Sequence, residues 1–131
     1  VKDNTMPNVI IEVSHDRLIS QPDNLLARVN DTLWQSGNFK LQSDIKSRIY
    51  YPNHALVGLT VSGDEAFVMA HFYLMPGRDD ATIQSLAQRI ADAIKAHLQE
   101  FESEVPVGSL QICVNSTTLS ANYVKQYVEF K

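Results

Sequence analysis

The stretch Ala66-Phe67-Val68-Met69-Ala70-His71-Phe72-Tyr73-Leu74, followed by Met75-Pro76-Gly77-Arg78-Asp79-Asp80, decides the fold. Its first nine residues are apolar or aromatic apart from His71 and read as a strand. Pro76-Gly77 closes that strand, and Asp79 or Asp80 can cap a following helix and complement its dipole. Ile83, Leu86, Ala87, Ile90, Ala91, Ile94 and Leu98 then recur at helical spacing and mark one apolar face. Pro106 and Gly108 break the pattern. Leu110, Ile112 and Val114 alternate with Gln111, Cys113 and Asn115 as a second strand.

Working upstream, the same order appears once more. Val9, Ile10 and Ile11 give residues 8–13 a mostly β-branched, strand-forming run. Ser20 or Asp23 offers a helix cap, with Pro22 suited to the first turn. Leu25, Leu26, Val29 and Leu33 follow at helical spacing, with Gly37 as the stop. Residues 45–51 resume a strand that Pro52 ends, and Ser62-Gly63-Asp64 is the turn into the second unit.

Each helix is long enough to be a crossover, so each unit pairs its strands in parallel with right-handed connection. The expectation is an α+β domain: two β-α-β units sharing a four-stranded mixed sheet, with both helices on one face. Phe67, Met69 and Tyr73 fall on one alternation of the third strand, and Val68, Ala70, Phe72 and Leu74 on the other. A sheet apolar on both faces but covered by only two helices predicts an oligomer.

Hydrophobic side chains form 44% of the 131 residues and charged ones 20%, which suits one domain with its own core. Residues 1–6 are read as an N-terminal extension or a cloning remnant, and residues 7–131 as the domain. A net charge of -4 without a dense Lys/Arg block argues against general attraction to nucleic acid or anionic lipid. The apolar runs are too short for a membrane span. A lone cysteine, Cys113, and the lack of a secretory pattern point to the cytoplasm, where the Asn115-Ser116-Thr117 glycosylation triplet carries no meaning.

His15, His54, His71 and His97 contain no close ligand pair, and the five glycines are too scattered for a phosphate loop, so neither metal nor cofactor is expected. Cys113 reads as a buried small apolar residue rather than a nucleophile. Lys46 and Arg48 stand two apart on a strand, so they share a face roughly 7 Å apart. Arg78 precedes a helix N-terminus, a natural place for an anion. On pattern alone, Lys46 and Arg48 also fit a solvated strand face, Arg78 a surface turn, and Pro7 the opening of an edge strand.

Met6-Pro7 opening directly into Asn8-Val9-Ile10-Ile11-Glu12-Val13 resembles the start of a tautomerase-superfamily chain. Thr32-Leu33 with Gly37, Phe39-x-Leu41, Ile45-Lys46-Ser47-Arg48, Ala66-Phe67-Val68 and Gly77-Arg78 are similar to the 5-carboxymethyl-2-hydroxymuconate isomerases. The resemblance spans residues 6–131, more weakly after the second helix. It implies a homotrimer with active sites near subunit boundaries, acting without cofactor on a dicarboxylate or keto acid formed in aromatic compound catabolism. It also implies that an N-terminal proline, Pro7, is the acid–base catalyst and that Arg78 and Arg48 hold the substrate. Lys46 stands where the family has the earlier arginine of a pair, and the loop before it carries one extra residue near Ser43.

This chemistry suits those residues. Enol-to-ketone isomerisation removes a proton at one atom and returns it at another, which a single base can do. An α-amino group starts at a pKa of roughly 7.7–8.0; burial and cations such as Lys46, Arg48 and Arg78 lower it, and the same cations would stabilise a dienolate. Two departures from the family matter. Lysine lacks the two-pronged guanidinium contact, and Val1-Lys2-Asp3-Asn4-Thr5-Met6 ahead of Pro7 would make its nitrogen a non-basic amide. Isomerase chemistry therefore requires removal of residues 1–6. The alternatives are a tautomerase of phenylpyruvate-like small enols and a non-catalytic oligomeric module binding small anions.

Overall fold

Val9, Ile11 and Val13 are fully buried while Asn8, Ile10 and Glu12 are half-buried, so strand β1 (Asn8–Val13) has one covered face and one open face. The computed structural model describes residues 7–59, 61 and 64–131. The remaining elements are α1 (Pro22–Gln35), a 3-10 turn (Gln42–Asp44), β2 (Lys46–Tyr50), β3 (Glu65–Leu74), α2 (Asp80–Glu100) and β4 (Ser109–Thr118). The extension at residues 1–6 and positions 62 and 63 of the expected turn lie outside the described residues.

The four strands form one mixed sheet in the order β2-β1-β3-β4. β1 pairs with β2 in parallel, β3 with β4 in parallel, and β1 with β3 antiparallel. The two β-α-β units therefore meet back to back at the centre. The heads of β1 and β2 and the tails of β3 and β4 share one end of the sheet.

Both helices cover one face. Val68, Ala70, Phe72 and Leu74 of β3 are 0% exposed, as are Leu25, Val29 and Leu33 of α1, and Ile90 and Ile94 of α2. Period two on the strand and periods three and four on the helices bring these side chains into one core. Phe67, Met69, His71 and Tyr73 lie on the opposite face and stay half-exposed in the single chain. The two-sided character expected for the third strand is present.

Three local expectations need correction. Neither Ser20 nor Asp23 caps α1: its N-cap is Gln21, in the left-handed conformation at φ 53°, without a side-chain cap. Ser20 is committed elsewhere, its hydroxyl donating to the Glu102 carbonyl at 2.5 Å. The buried seam of α2 includes Ala93 and His97, which the apolar stripe had omitted. His97 enters because its Nε2 bonds the Ser20 carbonyl at 2.6 Å and its ring lies 4.7 Å from that of Phe101. Cys113 is exposed, not buried, because the β3–β4 register puts it beside Met69 on the uncovered face.

The cap expected at α2 is present. Asp79 Oδ1 accepts from the Thr82 amide at 2.8 Å, and hydrogen bonding to Thr82 holds its carboxyl below the usual carboxylate range. A carboxylate with a lowered folded pKa stabilises above its unfolded pKa, and that stability is lost as pH falls through the folded one. Asp79→Ala should therefore melt below wild type at neutral pH. The gap should close on acidification, as measured by thermal unfolding across pH. In the core, Phe72→Ala should destabilise by about 3–5 kcal/mol in denaturant titrations, because a fully buried aromatic leaves a cavity.

Candidate active site

The register fixes which side chains can meet. Lys46 lies beside Asn8 and Arg48 beside Ile10 across β1–β2, while Asn8 lies beside Tyr73 and Ile10 beside His71 across β1–β3. All of these occupy the face away from the helices. The expectation that Lys46 and Arg48 project from one face is met, and both are half-buried.

Pro7 is buried at the head of β1, and its carbonyl accepts from the Lys46 amide at 3.1 Å. Lys46 folds its ammonium back onto the Asp44 carbonyl at 2.5 Å. Arg48 Nη1 donates to Asn8 Oδ1 at 2.9 Å, so the residue after Pro7 orients the guanidinium. Charge-assisted bonds of this kind hold long side chains in one geometry.

Arg78 is delivered by a turn in which Gly77 takes φ 120°, a conformation open to glycine but not to ordinary side chains. Its Nη2 donates to the Asn38 carbonyl at 2.9 Å, and its guanidinium lies 4.9 Å from the centroid of the buried Phe39 ring. Burial pushes its pKa below the usual arginine value, yet a guanidinium remains charged in proteins. The fold thus gathers Pro7, Lys46 and Arg48 about the heads of β1 and β2. Arg78 stands at the same end of the sheet, seated on the α1–β2 connection.

Sequence reasoning missed the partners that hold these groups. Asn8, Asn38 and Phe39 belong to that set; elsewhere on the open face, His71 Nε2 lies 2.5 Å from Glu12 Oε1. Period-two alternation would have put Asn8 on the Arg48 face once the register was known. Nothing local could have shown that Asn38 and Phe39 seat Arg78. Two clefts, of about 640 and 600 Å³, lie at the other end of the sheet, one against residues 102–110 and one against residues 14–16 and 51–55. Neither cleft includes Pro7, Lys46, Arg48 or Arg78 in its lining. Among the described residues, no group of three or more His, Cys, Asp or Glu side chains is placed to hold a metal, and no helix is long and apolar enough to cross a membrane.

Two parallel pairs joined antiparallel at the centre, with both helices on one face, make this a tautomerase-like fold. The 5-carboxymethyl-2-hydroxymuconate isomerase family model matches residues 7–126, and the chain belongs to that family. A crystal structure of a 5-carboxymethyl-2-hydroxymuconate isomerase from Deinococcus radiodurans R1 is similar, with a TM-score of 0.77 and 18% identity over 95% of this chain and 91% of that one. A 5-carboxymethyl-2-hydroxymuconate delta-isomerase structure has a TM-score of 0.73 and 15% identity, over 95% and 90% of the two chains. A fused 4-OT wild-type asymmetric trimer has a TM-score of 0.56 and 14% identity, over 85% and 86%. No curated protein matches the sequence. Membership in the family supports an isomerase or tautomerase function.

Proposed function

We propose that this chain is a cofactor-independent isomerase of an unsaturated, carboxylate-bearing keto acid of the 5-carboxymethyl-2-hydroxymuconate kind, with Pro7 as its acid–base catalyst. One observation carries the reading. Pro7 stands buried at the end of the sheet where Lys46, Arg48 and Arg78 also stand, and the family match opens at this residue.

The chemistry follows from that placement. With Pro7 as the terminal residue of residues 7–131, its nitrogen is a secondary amine at the head of a strand. It takes the enol proton, passes through its own protonated form, and returns a proton to carbon further along the conjugated chain. The surrounding cations lower its affinity for a proton, so the neutral base is available near neutral pH. Arg78 and Arg48 hold the substrate carboxylates, and Lys46 contributes a point charge where the dienolate develops. Two-pronged anchoring falls to the arginines, because lysine cannot provide it.

The subunit reading is a homotrimer. Phe67, Met69, His71 and Tyr73 form a half-exposed band across the uncovered face, and Tyr50 is 57% exposed beside it. Apolar surface of this extent suits contact with further copies of the chain, and the similar fused 4-OT protein is a trimer.

Intact-mass measurement of protein made from the native gene should find a mature terminus at Pro7; a retained Val1 would remove the base. In protein starting at residue 7, Pro7→Ala should lower kcat for ketonisation of a dienol, followed by ultraviolet absorbance, by about 100-fold or more. Equal rates would remove Pro7 from the mechanism. Arg78→Ala should raise KM about tenfold with a smaller change in kcat, the mark of a group that mainly binds. An unchanged KM would leave Arg78 a surface role.

A further inference from the structure

Among the described residues Asp44 is the one buried carboxylate, 1% exposed on the 3-10 turn just before β2. A carboxylate so placed needs a counter-charge and hydrogen bonds, and both come from the far end of the chain. Lys125 Nζ lies 2.6 Å from Asp44 Oδ1, and the Tyr127 hydroxyl donates to the same oxygen at 3.0 Å, across 81 and 83 residues of sequence. Lys125 also sits 5.0 Å from the centroid of the Tyr127 ring. Burial acts to lower the Lys125 pKa, but its bonds to Asp44 and Tyr127 and the Asp44 charge outweigh it and the net shift is upward.

The route of this segment matters. Leu119 extends the β3–β4 pairing by donating its amide to the Leu74 carbonyl at 2.8 Å, and the chain then turns at residues 120–123. To reach Asp44 from β4 it must cross the tail of β3 and the head of β1, since the strand order is β2-β1-β3-β4. That is the end of the sheet where Pro7 opens β1. The main chain of Asp44 faces the same site, for its carbonyl takes the Lys46 ammonium at 2.5 Å while the Lys46 amide bonds Pro7.

We propose that Asp44 is a positioning residue of the Pro7 site: clasped by Lys125 and Tyr127, it draws the C-terminal segment over that end of the sheet and fixes the turn whose carbonyl aims Lys46. The clasp itself stands on geometry alone; its effect on catalysis rests on the function proposed above. A clasp that only stabilised the fold would change melting temperature and leave substrate affinity alone.

The test uses the chain starting at Pro7 with Lys125→Met, Tyr127→Phe and Asp44→Asn, and with Lys125→Arg as the conservative rescue. Lys125→Met and Tyr127→Phe alter partly exposed side chains, so folding should survive even where Asp44→Asn fails. Both should speed hydrogen exchange of the amides in residues 119–127 by about tenfold. Both should also raise KM for a dienol substrate by about fivefold with little change in kcat. They should weaken binding of cis,cis-muconate, a dicarboxylate probe, to the same degree by calorimetry, and Lys125→Arg should restore all three.

Faster exchange with unchanged KM and muconate affinity would overturn the positioning role, and unchanged exchange would overturn the clasp. Should wild type lack turnover while the variants still lose muconate affinity, the proposed reaction fails and the clasp stands. Wild type that neither turns over nor binds muconate would overturn the proposed reaction and the positioning role together, and hydrogen exchange alone would then decide the clasp.

Discussion

The antiparallel ladder between β1 and β3 is the constraint from which the rest of the structure follows. It pairs Asn8 with Tyr73 and Val13 with Val68, joining two parallel β-α-β units back to back. A slip of one residue would exchange the faces of β1 and turn Val9, Ile11 and Val13 away from both helices. The same ladder puts Pro7 opposite the end of β3, four residues before Arg78. Core packing and the placement of Pro7 are thus set by one register.

Much of the fold could be read before the structure, and particular residues show why. Val9-Ile10-Ile11 and the run from Ala66 to Leu74 gave strand bounds within a residue of those found, because β-branched and aromatic side chains leave little choice. An aspartate cap at Asp79 or Asp80 was equally plain, and Asp79 provides it. The start of α1 was not, because Ser20 has the chemistry of a cap but spends its hydroxyl on Glu102, a partner 82 residues away. His97 escaped for a related reason: a polar residue outside the apolar stripe becomes core only once the Ser20 carbonyl is brought to it. Cys113 was misjudged because strand alternation says which residues share a face, not whether that face is covered.

The site was legible in a different measure. Spacing alone put Lys46 and Arg48 on one face, but it was the family likeness that singled out Pro7 and Arg78. What neither supplied was the support behind those groups. Asn8 holding Arg48, Phe39 and Asn38 holding Arg78, and Lys125 reaching Asp44 all depend on contacts between distant stretches of chain. Such partners carry no local periodicity, so a sequence can announce a cation without announcing what aims it. The overall charge of -4 makes the point sharper. An acidic protein can still gather a few positive groups at one end of a sheet when register and turns place them there.

The turn before α2 sets a limit of another kind. With φ at 120°, Gly77 occupies backbone space that L side chains rarely enter. Position 77 is therefore closed to mutational drift for reasons of stereochemistry, whatever its surroundings would tolerate. A lineage could exchange Arg78 for another head group, but not readily the glycine that sets the turn before it. Retuning such a protein would have to work through the side chains that turn displays, leaving the turn itself intact.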